Sequence, residues 1–142
     1  MERVTVTIDS ELLKKFDELI DRKGYTNRSE GIRDAVRQML TDQTIETDED
    51  AKCVGCVVYM YNHNERALSS RLVETQHHHH DISAATLHLH VDADNCVEAT
   101  VLNGTVRDVQ NMADHITSQT GVKHGRLHLI PIGDAPATTK KY

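Results

Sequence analysis

Ser83-Ala84-Ala85-Thr86-Leu87-His88-Leu89-His90-Val91-Asp92, then Ala93-Asp94-Asn95, then Cys96-Val97-Glu98-Ala99-Thr100-Val101-Leu102 is the stretch whose pattern sets the fold class of this chain. Apolar side chains recur at every second position, which is the period of a β-strand. Leu87, Leu89 and Val91 therefore face one way, and His88 and His90 the other. Ala93-Asp94-Asn95 is turn chemistry, so a second strand starting at Cys96 folds back antiparallel. Upstream, a strand is expected over Cys53–Asn62 and a helix over Glu65–Gln76, with Leu68, Leu72 and Val73 as its apolar stripe. Downstream, Asn103-Gly104 closes the strand. A helix follows over Thr105–Gln119, with Val106, Val109, Met112, Ala113 and Ile116 on one face, and then a strand over Arg126–Pro131.

The order β-α-β-β-α-β is the ferredoxin-like plan. It assigns residues 53–132 to one α+β domain and leaves 133–142 as a loose tail. Residues 1–43 follow a different pattern. Val4, Val6 and Ile8 alternate with Arg3, Thr5 and Thr7 in an opening strand, and Asp9 or Ser10 caps a helix. Leu12, Leu13, Phe16, Leu19 and Ile20 line that helix, and Gly24 ends it. A second helix begins at Asn27-Arg28-Ser29-Glu30, a capping-box variant, and carries Ile32, Val36, Met39 and Leu40. Residues 41–52 are acidic and aperiodic. They read as a linker, assigned to 44–52 between the two domains.

A lone strand with two helices exposes unpaired backbone and is not stable alone. The economical solution is a dimer in which two copies pair their strands into an antiparallel ribbon. Such a ribbon fits the DNA major groove and presents Arg3, Thr5 and Thr7 to it. Asn27, Arg28 and Ser29, with the N–H groups of the second helix start, then meet phosphates, and Arg33 adds to them.

Composition narrows the classes. The 142 residues include no Trp and a single Phe, Phe16, so any core rests on Leu, Ile, Val and Ala. The formal net charge of −6 gives no general attraction to nucleic acid. Residues 1–43 nearly balance, with eight basic and nine acidic side chains, so DNA contact depends on local placement. Three cysteines and no signal peptide point to a reducing, cytoplasmic setting. No apolar run approaches a membrane span.

His88 and His90 lie about 7 Å apart along their strand, within reach of one ion if the rings tilt inward. Cys96 opens the next strand and joins them through the hairpin. A fourth ligand is expected from Gln76-His77-His78-His79-His80-Asp81, although a helix C-terminus also favours such side chains for its dipole. Imidazole with thiolate suits a borderline-to-soft transition metal: zinc in a tetrahedron, or copper(II) or nickel(II) in a plane. The competing reading makes His88 and His90 the solvated face of an edge strand.

These residues carry a resemblance. Arg3-Val4-Thr5, Gly24-Tyr25, Asn27-Arg28-Ser29-Glu30, Ile32-Arg33-Asp34, Thr75 to Asp81, Ala85-Thr86-Leu87-His88, Cys96 and Gly121-Val122-Lys123-His124-Gly125 together resemble the nickel-responsive transcriptional regulators of the ribbon-helix-helix class, the NikR family. The resemblance spans nearly the whole chain, and its histidine block with the spaced Cys is the specific part. It implies a homotetramer with a central ferredoxin-like (ACT-like) core and two DNA-binding dimers at its ends. It also implies planar nickel(II) held by His88, His90 and Cys96 of one subunit and His77 of a neighbour, with Gln76, Glu98 and Tyr61 around the ligands. Glu30 and Asp34 are like charges at i and i+4, mildly unfavourable unless used. By resemblance they help hold a second, hard cation between domains.

The resulting expectation is a nickel-responsive regulator that binds a palindromic operator and, when metal-bound, represses nickel-uptake genes. A metal-buffering or delivery protein that uses its N-terminal part only to dimerise is the alternative. No nucleophile-and-base arrangement supports an enzyme. Cys53-x-x-Cys56 departs from the family pattern. Residues three apart on a strand face opposite ways, so the pair reads as packed thiols.

Overall fold

The computed structural model describes residues 2–65, 68, 70–72, 74, 75 and 82–132. The chain separates into two compact units, residues 1–42 and 43–142.

In the first unit, α1 spans Ser10–Lys23 and α2 spans Arg28–Thr47. Asp9 caps α1 by accepting from the Leu12 N–H at 2.9 Å. Gly24 ends it in the left-handed region at φ 75°, where a side chain would be strained. Asn27 caps α2, its Oδ1 accepting from the Glu30 N–H at 3.0 Å. The return arm of the box is displaced by one residue, because Glu30 accepts from Thr26, from its hydroxyl at 2.6 Å and its N–H at 3.4 Å. Among the described residues of this unit, Ile20 alone of the large apolar side chains is buried, whereas Val4, Val6, Ile32, Val36 and Met39 are exposed by 45–80%. Residues 2–9 carry no regular secondary structure in the single chain. A strand exists only against a paired neighbour, and this segment has none within its own chain to pair with.

One expectation is corrected here. Residues 41–47, read as irregular linker, continue α2. No Gly or Pro interrupts Thr41–Thr47, so nothing stops a helix already propagating. Gln38 donates to Asp42 at 2.8 Å and the Thr47 hydroxyl to the Gln43 carbonyl at 2.7 Å. The acidic side chains mark a solvated helix face, not a break.

The second unit contains β1 (Lys52–Asn62), β2 (Ser83–His90), β3 (Asn95–Thr105), α3 (Val106–Thr117) and β4 (Lys123–Pro131), with helical residues also at 68, 70–72, 74 and 75. The four strands form one antiparallel sheet in the order β2-β3-β1-β4, which is the ferredoxin-like arrangement. β3 runs past the expected end at Leu102 because the long β1 keeps pairing: Asn103 stands opposite Val54, and Gly104 opposite Cys53. Cross-strand pairing thereby overrides two turn-forming residues.

The core lies on one face of this sheet. Cys53, Val57, Tyr59, Tyr61, Cys96 and Leu102 point into it and meet Leu68, Leu72, Val106, Val109, Met112 and Ile116. Cys53 and Cys56 take opposite faces: Cys53 is fully buried and Cys56 half-buried, and both are free thiols. α3 packs tightly over β1 at Gly55, where an added Cβ would fall 2.5 Å from a Val109 methyl. Strand Gly→Ala is ordinarily favourable. Here overpacking of about 1–3 kcal/mol is expected to outweigh that gain. Gly55→Ala should lower the thermal midpoint by a few degrees, on the order of 5 °C, read by circular dichroism; an unchanged or raised midpoint would contradict this packing.

Candidate metal centre and DNA-binding unit

Antiparallel register builds the centre. On the core face of the sheet, Tyr59 of β1, Glu98 of β3 and His88 of β2 stand opposite one another in one row. The adjacent row is Tyr61, Cys96 and His90. Residues 35 and 37 apart in sequence become neighbours through this pairing. β2 is an edge strand and His88 and His90 are exposed, as the solvated reading requires, although they lie on the sheet face that carries the core. The histidines share the core face, while Leu87 and Leu89 are 76% and 65% exposed. The reason is register: His90 pairs with buried Cys96, which fixes every other side chain of a two-residue period.

The Glu98 carboxylate organises the first row. Its Oε2 accepts from the Tyr59 hydroxyl at 2.5 Å, and its Oε1 from the Tyr61 hydroxyl at 2.7 Å. Oε1 also lies 2.9 Å from His88 Nδ1. Burial works to raise the Glu98 pKa, but hydrogen bonds from Tyr59, His88 and Tyr61 outweigh it and hold the group below the usual carboxylate range. A carboxylate only accepts, so His88 Nδ1 carries the proton of this contact. Both tyrosine hydroxyls are pushed well above their ordinary pKa, first by burial and then by Glu98, and both remain neutral donors.

The His88 and His90 rings meet edge-on with centroids 4.7 Å apart, and His63 meets His90 edge-on at 5.0 Å. The Cys96 thiol is buried and donates to the Tyr61 carbonyl at 3.5 Å. Burial raises its pKa above the ordinary 9.0; the Tyr61 side-chain hydroxyl, not the carbonyl, opposes this and the Glu98 charge reinforces it. Among the described residues, no group of three or more His, Cys, Asp and Glu is arranged to hold a metal ion. The local reason is visible: His88 Nδ1 is engaged by Glu98, and the thiol is turned toward backbone. The donor set itself fits a borderline-to-soft metal, with two imidazoles and a thiol on one sheet corner. His77 and Gln76 lie outside the described residues.

Two participants escaped sequence reading. Tyr59 reaches Glu98 through strand register alone. His63 reaches the His90 ring, and its Nδ1 is buried without a hydrogen-bond partner among the described residues.

In the first unit, Arg3, Thr5 and Thr7 are exposed on the N-terminal segment, and Asn27, Arg28, Ser29 and Arg33 are exposed around the start of α2. Arg28 makes a two-pronged pair with Asp17 at 2.6 and 2.7 Å, which competes with any phosphate. Glu30 and Asp34 line one cleft with Tyr25, Arg33 and Arg37. Tyr25 donates to Asp34 at 2.5 Å, so both carboxylates already have local donors.

An N-terminal α-helical pair with an unpaired leading segment, joined to a ferredoxin-like unit with an imidazole–thiol corner, is the arrangement of a metal-binding ribbon-helix-helix protein. Residues 54–130 match the NikR C-terminal nickel-binding domain, and residues 2–43 match the ribbon-helix-helix protein family of the copG type. The chain belongs to the NikR family of nickel-binding ribbon-helix-helix regulators. Among solved structures, it is similar to the C-terminal domain of the MgtC protein from Mycobacterium tuberculosis at 16% identity, covering 62% of this chain and 97% of that one, with a TM-score of 0.43. No helix among the described residues is long and apolar enough to cross a membrane.

Proposed function

We propose that this protein is a cytoplasmic, nickel-responsive repressor of nickel-uptake genes that binds a palindromic operator as a homotetramer. The observation that carries the reading is the pair of cross-strand rows, which bring His88, His90 and Cys96 to one corner of the sheet. His77 of a neighbouring subunit completes the ligand set, Gln76 and Glu98 orient it, and Tyr61 lies near them. Nickel bound there ties two subunits together. Two apolar surfaces support self-assembly: the open face of Val4, Val6, Ile32 and Val36 in the first unit, and the outer sheet face of Val58, Leu87, Leu89, Val101 and Ile130 in the second.

Pairing of two N-terminal segments presents Arg3, Thr5 and Thr7 to base edges, with Asn27, Arg28, Ser29 and Arg33 on the backbone. Arg28 must leave Asp17 to do so, at small cost because the pair is exposed. Glu30 and Asp34 hold a second, hard cation only where Tyr25 and Thr26 release them. Occupancy of the centre and operator affinity are reciprocal, so DNA tightens metal binding as much as metal tightens DNA binding.

Operator binding by fluorescence anisotropy, with and without nickel(II), tests the reading. Equal affinities would remove the switch. A protein that takes up nickel yet shows no sequence preference on DNA would be the buffering alternative. A pH measurement follows from the thiol. Its pKa is raised, so the metal-free protein carries a proton on Cys96 at neutral pH, and ligation must release it. Apparent nickel affinity should therefore climb about tenfold per unit between pH 7 and 8. A flat profile there would exclude the thiolate as a ligand.

A further inference from the structure

We infer that Tyr59 is a positioning residue of the metal centre: its buried hydroxyl clamps Glu98 Oε2, so that Oε1 is turned onto His88 Nδ1 and the His88 ring is held in one orientation before metal arrives. This rests on the nickel reading of His88, and it concerns a side chain that touches no ligand of the metal. Tyr59 is 1% exposed and stands directly opposite Glu98 in the register. Thr100, fully buried on the same sheet face, has its hydroxyl 3.0 Å from that of Thr86.

The two tyrosines hold different oxygens, and this makes their roles unequal. Among the described residues, Oε2 has one side-chain donor, Tyr59. Oε1 has two, Tyr61 and His88. Removing the Tyr61 hydroxyl leaves His88 as the remaining side-chain donor to Oε1, and the contact persists. Removing the Tyr59 hydroxyl takes from Oε2, on a part-buried carboxylate whose side chain is 12% exposed, its side-chain donor among the described residues, and the carboxylate rotates to find another. Rotation takes Oε1 away from His88. A phenol acting only as core filling predicts no such difference between the two positions.

The test uses the full-length chain, metal-free, with 15N-labelled histidine. In the parent and in Tyr61→Phe, His88 should show the pattern of a single neutral tautomer protonated at Nδ1. In Tyr59→Phe it should show a mixture of tautomers. Nickel affinity should fall about tenfold in Tyr59→Phe and by less than about threefold in Tyr61→Phe. The substitution removes one oxygen and keeps the ring, and an unchanged backbone amide spectrum checks that the fold survives. If it does not survive, the Tyr59 hydroxyl proton of the parent, expected as a slowly exchanging downfield signal, decides the matter. A parent-like His88 pattern in Tyr59→Phe, equal damage from both substitutions, or a rapidly exchanging Tyr59 hydroxyl each overturns the inference. A parent that binds no nickel through its thiol sinks the nickel reading instead, and the tautomer comparison still judges Tyr59.

Discussion

Cys96→Ala should abolish the nickel response: the thiolate-to-metal charge-transfer absorption disappears, and operator affinity in saturating nickel falls by at least about 100-fold, to the metal-free level. The magnitude follows from what is removed. The thiolate is the only anionic donor in the proposed set, and soft thiolate character separates this centre from an all-imidazole one. The fold is expected to survive, because Cys96 acts as a small buried residue whose one hydrogen bond goes to the Tyr61 carbonyl at 3.5 Å. Absorption titration beside anisotropy separates the two consequences. Retained absorption with lost DNA binding would place the coupling elsewhere, and loss of neither would dismiss Cys96 from the centre.

Val36→Asp should leave each polypeptide unable to form the DNA-binding dimer. Val36 is 49% exposed in the single chain and lines an apolar groove with Val4, Val6, Phe16 and Ile32. In a ribbon dimer this groove becomes core. A carboxylate buried there without a partner costs several kcal/mol, comparable to the whole stability of a small domain. Operator affinity should fall by more than about 100-fold, while nickel binding at the centre is retained. Sedimentation together with anisotropy checks this, and parent-like DNA binding would show that the groove is not the dimer face. The same groove explains why the first unit has so little core of its own: among the described residues, Ile20 is its only buried large apolar side chain, locked against Gly31, where an added Cβ would lie 2.0 Å from the Ile20 methyl.

Much of this was legible in the residues. The two-residue alternation through Thr86–Val91 and the 3.6-residue stripe from Val106 to Ile116 are local signals that name strand and helix without reference to the rest of the chain. Asp9, Gly24 and Asn27 mark helix ends through hydrogen bonds made within a few residues, and they sit where the caps were expected. The residue types at positions 88, 90 and 96 likewise point to a class of metal through ligand chemistry alone.

Other features had no local signature. That Leu87 and Leu89 take the outer sheet face and His88 and His90 the face that carries the core depends on which residue of β3 pairs with which residue of β2, and a period of two is silent about which face packs. Residues 41–47 are helical because a helix begun at Arg28 continues until something stops it, a nonlocal fact that acidic composition obscured. The bond from Tyr59 to Glu98 spans 39 residues and exists only because β1 and β3 are paired in this register. Chain-local chemistry thus specified the elements and the donors. The pairing of distant strands, which no short window of residues encodes, decided which of those donors meet and which carboxylate holds them.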